Sequence, residues 1–210
     1  MDPWVVLLGW ALAIPVIALA IFRLDRRVDE RTVPFMAILA AGIFVAQMLN
    51  FPVGGGTTGH LIGATLAVVL LGLNGAIVVM TAILVIQCLV FGDGGLTALG
   101  LNFLNMAVIA PLVAYGVLRA LKGHEGAAVP VASWASVFLA SLACGLMLSA
   151  SYVISDGAFG IIGSVAIPAM AGWHAVIAIG EAVITSGVVL FLKRVAPEML
   201  EINGLKEAGA

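Results

Sequence analysis

His60 carries the sharpest chemistry in this chain. It follows Thr57-Thr58-Gly59, a spacing that predicts the first turn of a helix capped by a threonine hydroxyl. The positive end of the helix dipole disfavours imidazolium at such a place. Neutral imidazole is the form that binds metal ions. A histidine held only by structural hydrogen bonds has the same residue type, so both roles stay open at this point. His174 and Glu181 form a second candidate pair. They are seven residues apart in the last apolar stretch and share a helical face. A carboxylate at the depth of Glu181 is costly in a bilayer, so it is protonated, paired or turned toward a polar cavity. A packing hydrogen bond to a neighbouring helix is an equal alternative. His124 with Glu125 reads as solvated surface.

The remaining polar side chains gather near the ends of apolar stretches. Gln47 and Asn50 close one, Thr57 and Thr58 open the next, and Gln87 and Asp93 close another. Thr97, Asn102, Asn105, Ser149, Ser151 and Asp156 lie near the same ends. A pocket opening on one side, with Asn50, Thr58, Asp93, Asn102, Asn105, His174 and Glu181 as candidates beside His60, is the simple expectation. Other patterns fail on context. Gly54-x-Gly56-x-x-Gly59 matches a dinucleotide fingerprint by letters but follows no strand and precedes an apolar span. No Walker A sequence occurs, so no bound ATP and no enzyme activity are expected of this chain. A serine (Ser149 or Ser164) with His174 has the elements of an intramembrane hydrolase but no nucleophile signature.

The elements that must position these residues follow from composition. The 210 residues are 63% hydrophobic and only 10% charged, with 25 glycines and a mean hydropathy of +1.22. So few charges cannot cover a soluble globule of this apolar content, and a net charge of −2 argues against nucleic acid. The reading is an all-α polytopic membrane protein, a single integral domain over 1–210. A bilayer core of about 30 Å needs about 20 helical residues. Seven stretches qualify, at about 4–22, 33–50, 58–72, 75–91, 98–119, 130–151 and 166–192. Gly72-Leu73-Asn74-Gly75 reads as a tight helical hairpin between the third and fourth. With seven spans all nine basic residues fall on one side: Arg23, Arg26, Arg27, Arg31, Arg119, Lys122, Lys193, Arg194 and Lys206. The positive-inside rule makes that side cytoplasmic, with the N-terminus outside. Three Gly-rich turns, around Gly54–Gly56, Gly92–Gly95 and Gly157–Gly160, then lie outside and could pack into a mouth or serve simply as hairpin turns. Cys88 and Cys144 read as buried free thiols. Small residues at helical spacing in the second span, Ala37 and Ala41 among them, allow either internal packing or docking of another membrane subunit.

Asn50-Phe51-Pro52-Val53, Thr57-Thr58-Gly59-His60-Leu61-Ile62-Gly63, and Phe91-Gly92-Asp93-Gly94-Gly95-Leu96-Thr97-Ala98-Leu99-Gly100 with Asn102 and Asn105-Met106 resemble the CbiM/NikM family. These are the membrane substrate-capture components of energy-coupling factor (ECF) transporters for cobalt and nickel. The resemblance extends to Trp173-His174 and Gly180-Glu181-Ala182. It implies a seven-helix bundle with an external N-terminus in the cell membrane. It implies Co(II) or Ni(II) as transported substrate, held outside by nitrogen ligands in a roughly square-planar set, with His60 as one ligand. It implies as partners a transmembrane coupling subunit, two ATP-binding cassette ATPases and a small accessory membrane subunit. Family members begin Met-His, and their N-terminal amine, second backbone nitrogen and second side chain complete the ligand set. This chain begins Met1-Asp2-Pro3-Trp4, so Met1 and Asp2 are not carried over as ligands, and a start assigned too late is expected. The alternative function is a self-sufficient proton-coupled carrier or channel built around Glu181.

Overall fold

The computed structural model describes residues 1–25, 32–53 and 57–201. Arg26, Arg27, Arg31, Lys206 and the Gly54–Gly56 turn, which entered the expectations above, lie outside the described residues. Helix α1 (Pro3–Asp25) is followed by α2 (Thr32–Gln47), a hairpin of β1 (Phe51–Val53) and β2 (Thr57–Gly59), and α3 (Ala64–Val90). A single 3-10 turn (Leu96–Ala98), α4 (Leu99–Asn102), a π-helical segment (Phe103–Ile109) and α5 (Ala110–Ala120) run on without a break. Helices α6 (Glu125–Ile154), α7 (Gly163–Val195) and the short α8 (Glu198–Glu201) complete the chain.

Among the described residues, five helical stretches are long and apolar enough to cross a membrane: Pro3–Leu24, Ala64–Val90, Leu96–Ala120, Gly126–Ile154 and Gly163–Val195. Helix α2 is apolar but shorter, at 16 residues. Leu7, Leu8 and Leu12 of α1 and Val176, Val183 and Leu190 of α7 stay exposed, the outward-facing apolar surface that lipid covers. The core is built on α3, where Ala67, Val68, Ala76, Met80 and Ile83 are buried. Small residues let the first helix cross α4 closely: the backbone of Gly100 lies against the Trp10 ring and that of Gly9 against Leu101.

The expected span at 58–72 is corrected. Its first residues are the β2 strand, paired antiparallel with β1 (Phe51 opposite Gly59, Val53 opposite Thr57), and helix begins only at Ala64. That helix is broken at Gly72, whose φ of 69° and ψ of 179° are non-helical and open to glycine without penalty. A Cβ on Gly75 would lie 2.6 Å from the Leu71 Cβ, against about 5–6 Å for such neighbours in a straight helix. The chain therefore folds sharply here, as the hairpin reading expected. The first arm, residues 64–71, has a length of roughly 12 Å at 1.5 Å per residue. That is less than half a bilayer core of about 30 Å, so this arm does not cross on its own. The all-α expectation also gives way locally to the small β-hairpin.

The helix directions sort the ends of the bundle. A cavity at one end is lined by residues near the starts of α1, α4 and α7 and near the ends of α2, α3 and α6. Arg23, Arg119, Lys193 and Arg194 sit in the last turns of α1, α5 and α7, at the opposite end.

Candidate functional site: an imidazole-bearing cavity

The cavity has a volume of about 310 Å³. Its wall includes His60, Asn50, Thr58, Asp93, Asn102, Asn105 and His174, so seven of the eight expected site residues come together there. Glu181 is the exception. It does not line the cavity and is 2% exposed, seven residues further along α7 than His174, or about 10 Å deeper.

His60 is not in the first turn of a helix, as its spacing predicted. Thr57 and Thr58 belong to β2, and His60 lies in the irregular link between that strand and α3. Strand pairing with Phe51–Val53 takes the threonine segment out of the capping role. The cap position of α3 falls instead on Gly63, which has no side-chain capping bond. The dipole argument for a neutral His60 therefore lapses. His60 Nδ1 lies 2.8 Å from the Leu61 carbonyl oxygen. A carbonyl only accepts, so Nδ1 carries the proton. In neutral imidazole that leaves Nε2 as the lone-pair nitrogen, the arrangement that orients metal-binding histidines. His174 repeats the pattern, with Nδ1 donating to the Met170 carbonyl at 3.0 Å. Two imidazoles on the same cavity wall thus both hold Nδ1–H on backbone carbonyls.

The link after His60 is fixed from three helices. Ile62 N–H donates to Glu181 Oε2 at 2.6 Å and Gly63 N–H to Glu181 Oε1 at 2.8 Å. Gln47 Nε2 donates to the Ile62 carbonyl at 2.6 Å, and Gln87 Nε2 donates to Gln47 Oε1 at 2.8 Å. Gln47, Gln87 and Glu181 are all buried. Glutamine is needed at 47 because it must donate to one partner and accept from the other. Gln47→Leu leaves the Ile62 carbonyl and the Gln87 amide without partners. It is expected to cost about 2–4 kcal/mol, read as a lowered thermal midpoint of the purified chain in detergent.

The other cavity residues have defined duties. Asn102 Nδ2 donates to the Gly94 carbonyl at 3.1 Å, tying the Gly92–Gly95 turn to α4. Asp93 accepts the Gly94 N–H at 2.9 Å. Asn105 sits in the π-helical segment, a geometry frequent at functional sites, and its buried Oδ1 has no hydrogen-bond partner among the described residues. Asp2 caps α1 by accepting the Trp4 N–H at 2.9 Å, while its own N–H donates to Ser151 Oγ at 2.6 Å. This bond ties the start of α1 to α6, and Met1 lies on the cavity wall.

Sequence reasoning missed Ser141, Cys144, Met147 and Met170, which also line the cavity. The thiols of Cys88 and Cys144 are free, but Cys144 is a wall residue and not merely core. The missed signal is the spacing 141, 144, 147–148 along α6 and 170, 174 along α7, one helical face each. Ala37 and Ala41 lie far from the cavity on α2. Both are exposed, and Ala37 borders a shallow apolar groove shared with Ile21, Met36, Val78 and Ala82.

A family model described as "CbiM: Cobalt uptake substrate-specific transmembrane region" matches residues 1–199. The fused nickel transport protein NikMN of Rhodobacter capsulatus is 37% identical over an alignment covering 95% of this chain and 62% of that protein. The crystal structure of a truncated transition metal transporter superposes with a TM-score of 0.88 at 37% identity, covering 92% of this chain and 95% of the other. A second transition metal transporter structure gives a TM-score of 0.87, covering 93% and 90%. By the family model and the shared fold, this multi-pass membrane protein belongs to the CbiM family of cobalt uptake substrate-specific transmembrane regions.

Proposed function

We propose that this chain is the substrate-binding component of an ATP-driven ECF importer, and that it captures Co(II) or Ni(II) in the cavity with His60 Nε2 as a ligand. The observation that carries this reading is the Nδ1–H bond of His60, a residue of the cavity wall, to the Leu61 carbonyl at 2.8 Å, which leaves Nε2 as the lone-pair nitrogen of the neutral ring. Imidazole suits both ions. His174 supplies a second imidazole on the same wall.

The reading sets the cavity end and N-terminus outside and the C-terminus in the cytoplasm, with seven membrane-embedded helical arms of which residues 64–71 do not cross on their own. The basic residues at the far ends of α1, α5 and α7 support it. Energy comes from partners: a transmembrane coupling subunit, two ATP-binding cassette ATPases and a small accessory membrane subunit. The exposed Ala37 and Ala41 stripe favours close approach by one of these. The geometry of Glu181 counts against the proton-coupled carrier, because both carboxyl oxygens are occupied by backbone N–H groups. The purified chain, loaded with Ni(II) or Co(II) and washed, is expected to retain metal. Metal content measured on the protein tests this, and retention of neither ion overturns the reading.

A further inference from the structure

The two hydrogen bonds on either side of the Leu61–Ile62 peptide belong together. The Leu61 carbonyl that accepts His60 Nδ1–H at 2.8 Å and the Ile62 N–H that donates to Glu181 Oε2 at 2.6 Å are the two poles of one planar peptide group. A carboxylate on the N–H pole polarises the group and makes its carbonyl a stronger acceptor. A stronger acceptor holds the Nδ1 proton more firmly and leaves Nε2 richer in electron density. Metal sites commonly achieve this with a carboxylate directly on the histidine. Here the carboxylate lies one peptide away.

We infer that Glu181 is a positioning residue for His60, acting through the Leu61–Ile62 peptide as a carboxylate–peptide–imidazole relay. The inference rests on the reading of His60 as the ligand for a divalent transition-metal cation. Three further features fit it. The carboxyl oxygens of Glu181 have no duty toward the cavity, since the residue does not line it. Its second oxygen takes the next N–H, that of Gly63, at 2.8 Å, which fixes the carboxyl plane. The next carbonyl, Ile62, is held by Gln47 at 2.6 Å, so the two consecutive peptides cannot rotate independently. The relay therefore sets both where the imidazole points and which nitrogen is protonated.

The test uses the full chain in detergent with ¹⁵N-labelled histidine, and Ni(II) alone as probe. In the unsubstituted protein, His60 is expected as the Nδ1–H tautomer by ring ¹⁵N shifts. Finding the Nε2–H tautomer overturns the relay without any variant. In Glu181→Gln, which offers an amide donor to one of the two N–H groups, the Nδ1–H fraction of His60 falls. Ni(II) affinity falls about 10- to 100-fold with it, the range typical for loss of an outer-shell partner. Glu181→Asp restores part of both. A merely structural Glu181 would lower the thermal midpoint and leave the tautomer unchanged, and that result overturns the relay. If the unsubstituted chain binds no Ni(II) but its tautomer still responds to Glu181→Gln, the capture reading falls and the relay stands. If Ni(II) binding depends on His60 but neither tautomer nor affinity responds to Glu181→Gln, the relay falls and capture stands.

Discussion

His60→Ala reduces Ni(II) and Co(II) affinity of the purified chain by at least about 100-fold, beyond the range seen for outer-shell losses, and leaves its thermal transition in place. The two halves of that expectation have separate grounds. His60 is only partly buried, and among the described residues its side chain bonds to the carbonyl of the next residue, a local contact. The link it stands in is held by Glu181 and Gln47, which the substitution does not touch. The fold therefore keeps its cavity and loses one nitrogen donor. Isothermal titration with each ion, alongside thermal unfolding in detergent, measures both halves. Unchanged affinity would remove His60 from the site. Loss on His174→Ala instead would move the ligand to α7, where the second imidazole has the same Nδ1–H arrangement.

The parts of this architecture written locally were legible in the sequence. Hydropathy marked the long helices, and Gly72 with Gly75 marked the sharp fold within α3. The basic residues at Arg23, Arg119 and Lys193–Arg194 marked the end away from the cavity. The polar residues at the helix ends mapped onto one cavity because they share an end of the bundle. The β-hairpin was not legible: two three-residue strands give no measurable alternation, and Thr57-Thr58-Gly59 looked like a helix cap. Nor was the role of Glu181. Its partners Ile62 and Gly63 are 119 and 118 residues away in sequence, and their backbone N–H groups carry no residue-type signature. Depth in an apolar helix made Glu181 stand out as costly, but only the contact explains what the carboxylate does. Cys144, Met147 and Met170 were hidden for a different reason. Their types are as common in a core as on a cavity wall, so spacing alone could not separate the two.

Gly160→Ala is expected to destabilise the protein by about 2–5 kcal/mol, through two independent costs. Gly160 has a φ of 83°, and a side chain at left-handed φ costs about 1–2 kcal/mol. A Cβ there would also meet the Leu148 carbonyl oxygen in a severe overlap and lie 2.7 Å from the Tyr152 nitrogen. Both are backbone atoms of α6, which cannot step aside as a flexible side chain can, and overpacking of this kind adds about 1–3 kcal/mol. For a chain of this size the sum lowers the thermal midpoint by roughly 5–15 °C. Gly172→Ala is the control. A Cβ at Gly172 meets nothing within 4 Å, and alanine favours helix over glycine, so its midpoint stays level or rises. The effect at Gly160 reaches the cavity because the strained turn of α6 carries Leu148, a wall residue, and Ser151, which holds the Asp2 N–H. Displacing that turn loosens the start of α1 as well as the wall. Metal affinity of Gly160→Ala should therefore fall even at temperatures where the protein remains folded, whereas Gly172→Ala keeps it. Equal midpoints for the two variants would mean that the α6–α7 turn yields without cost, and that the close approach of Gly160 to α6 holds nothing in place.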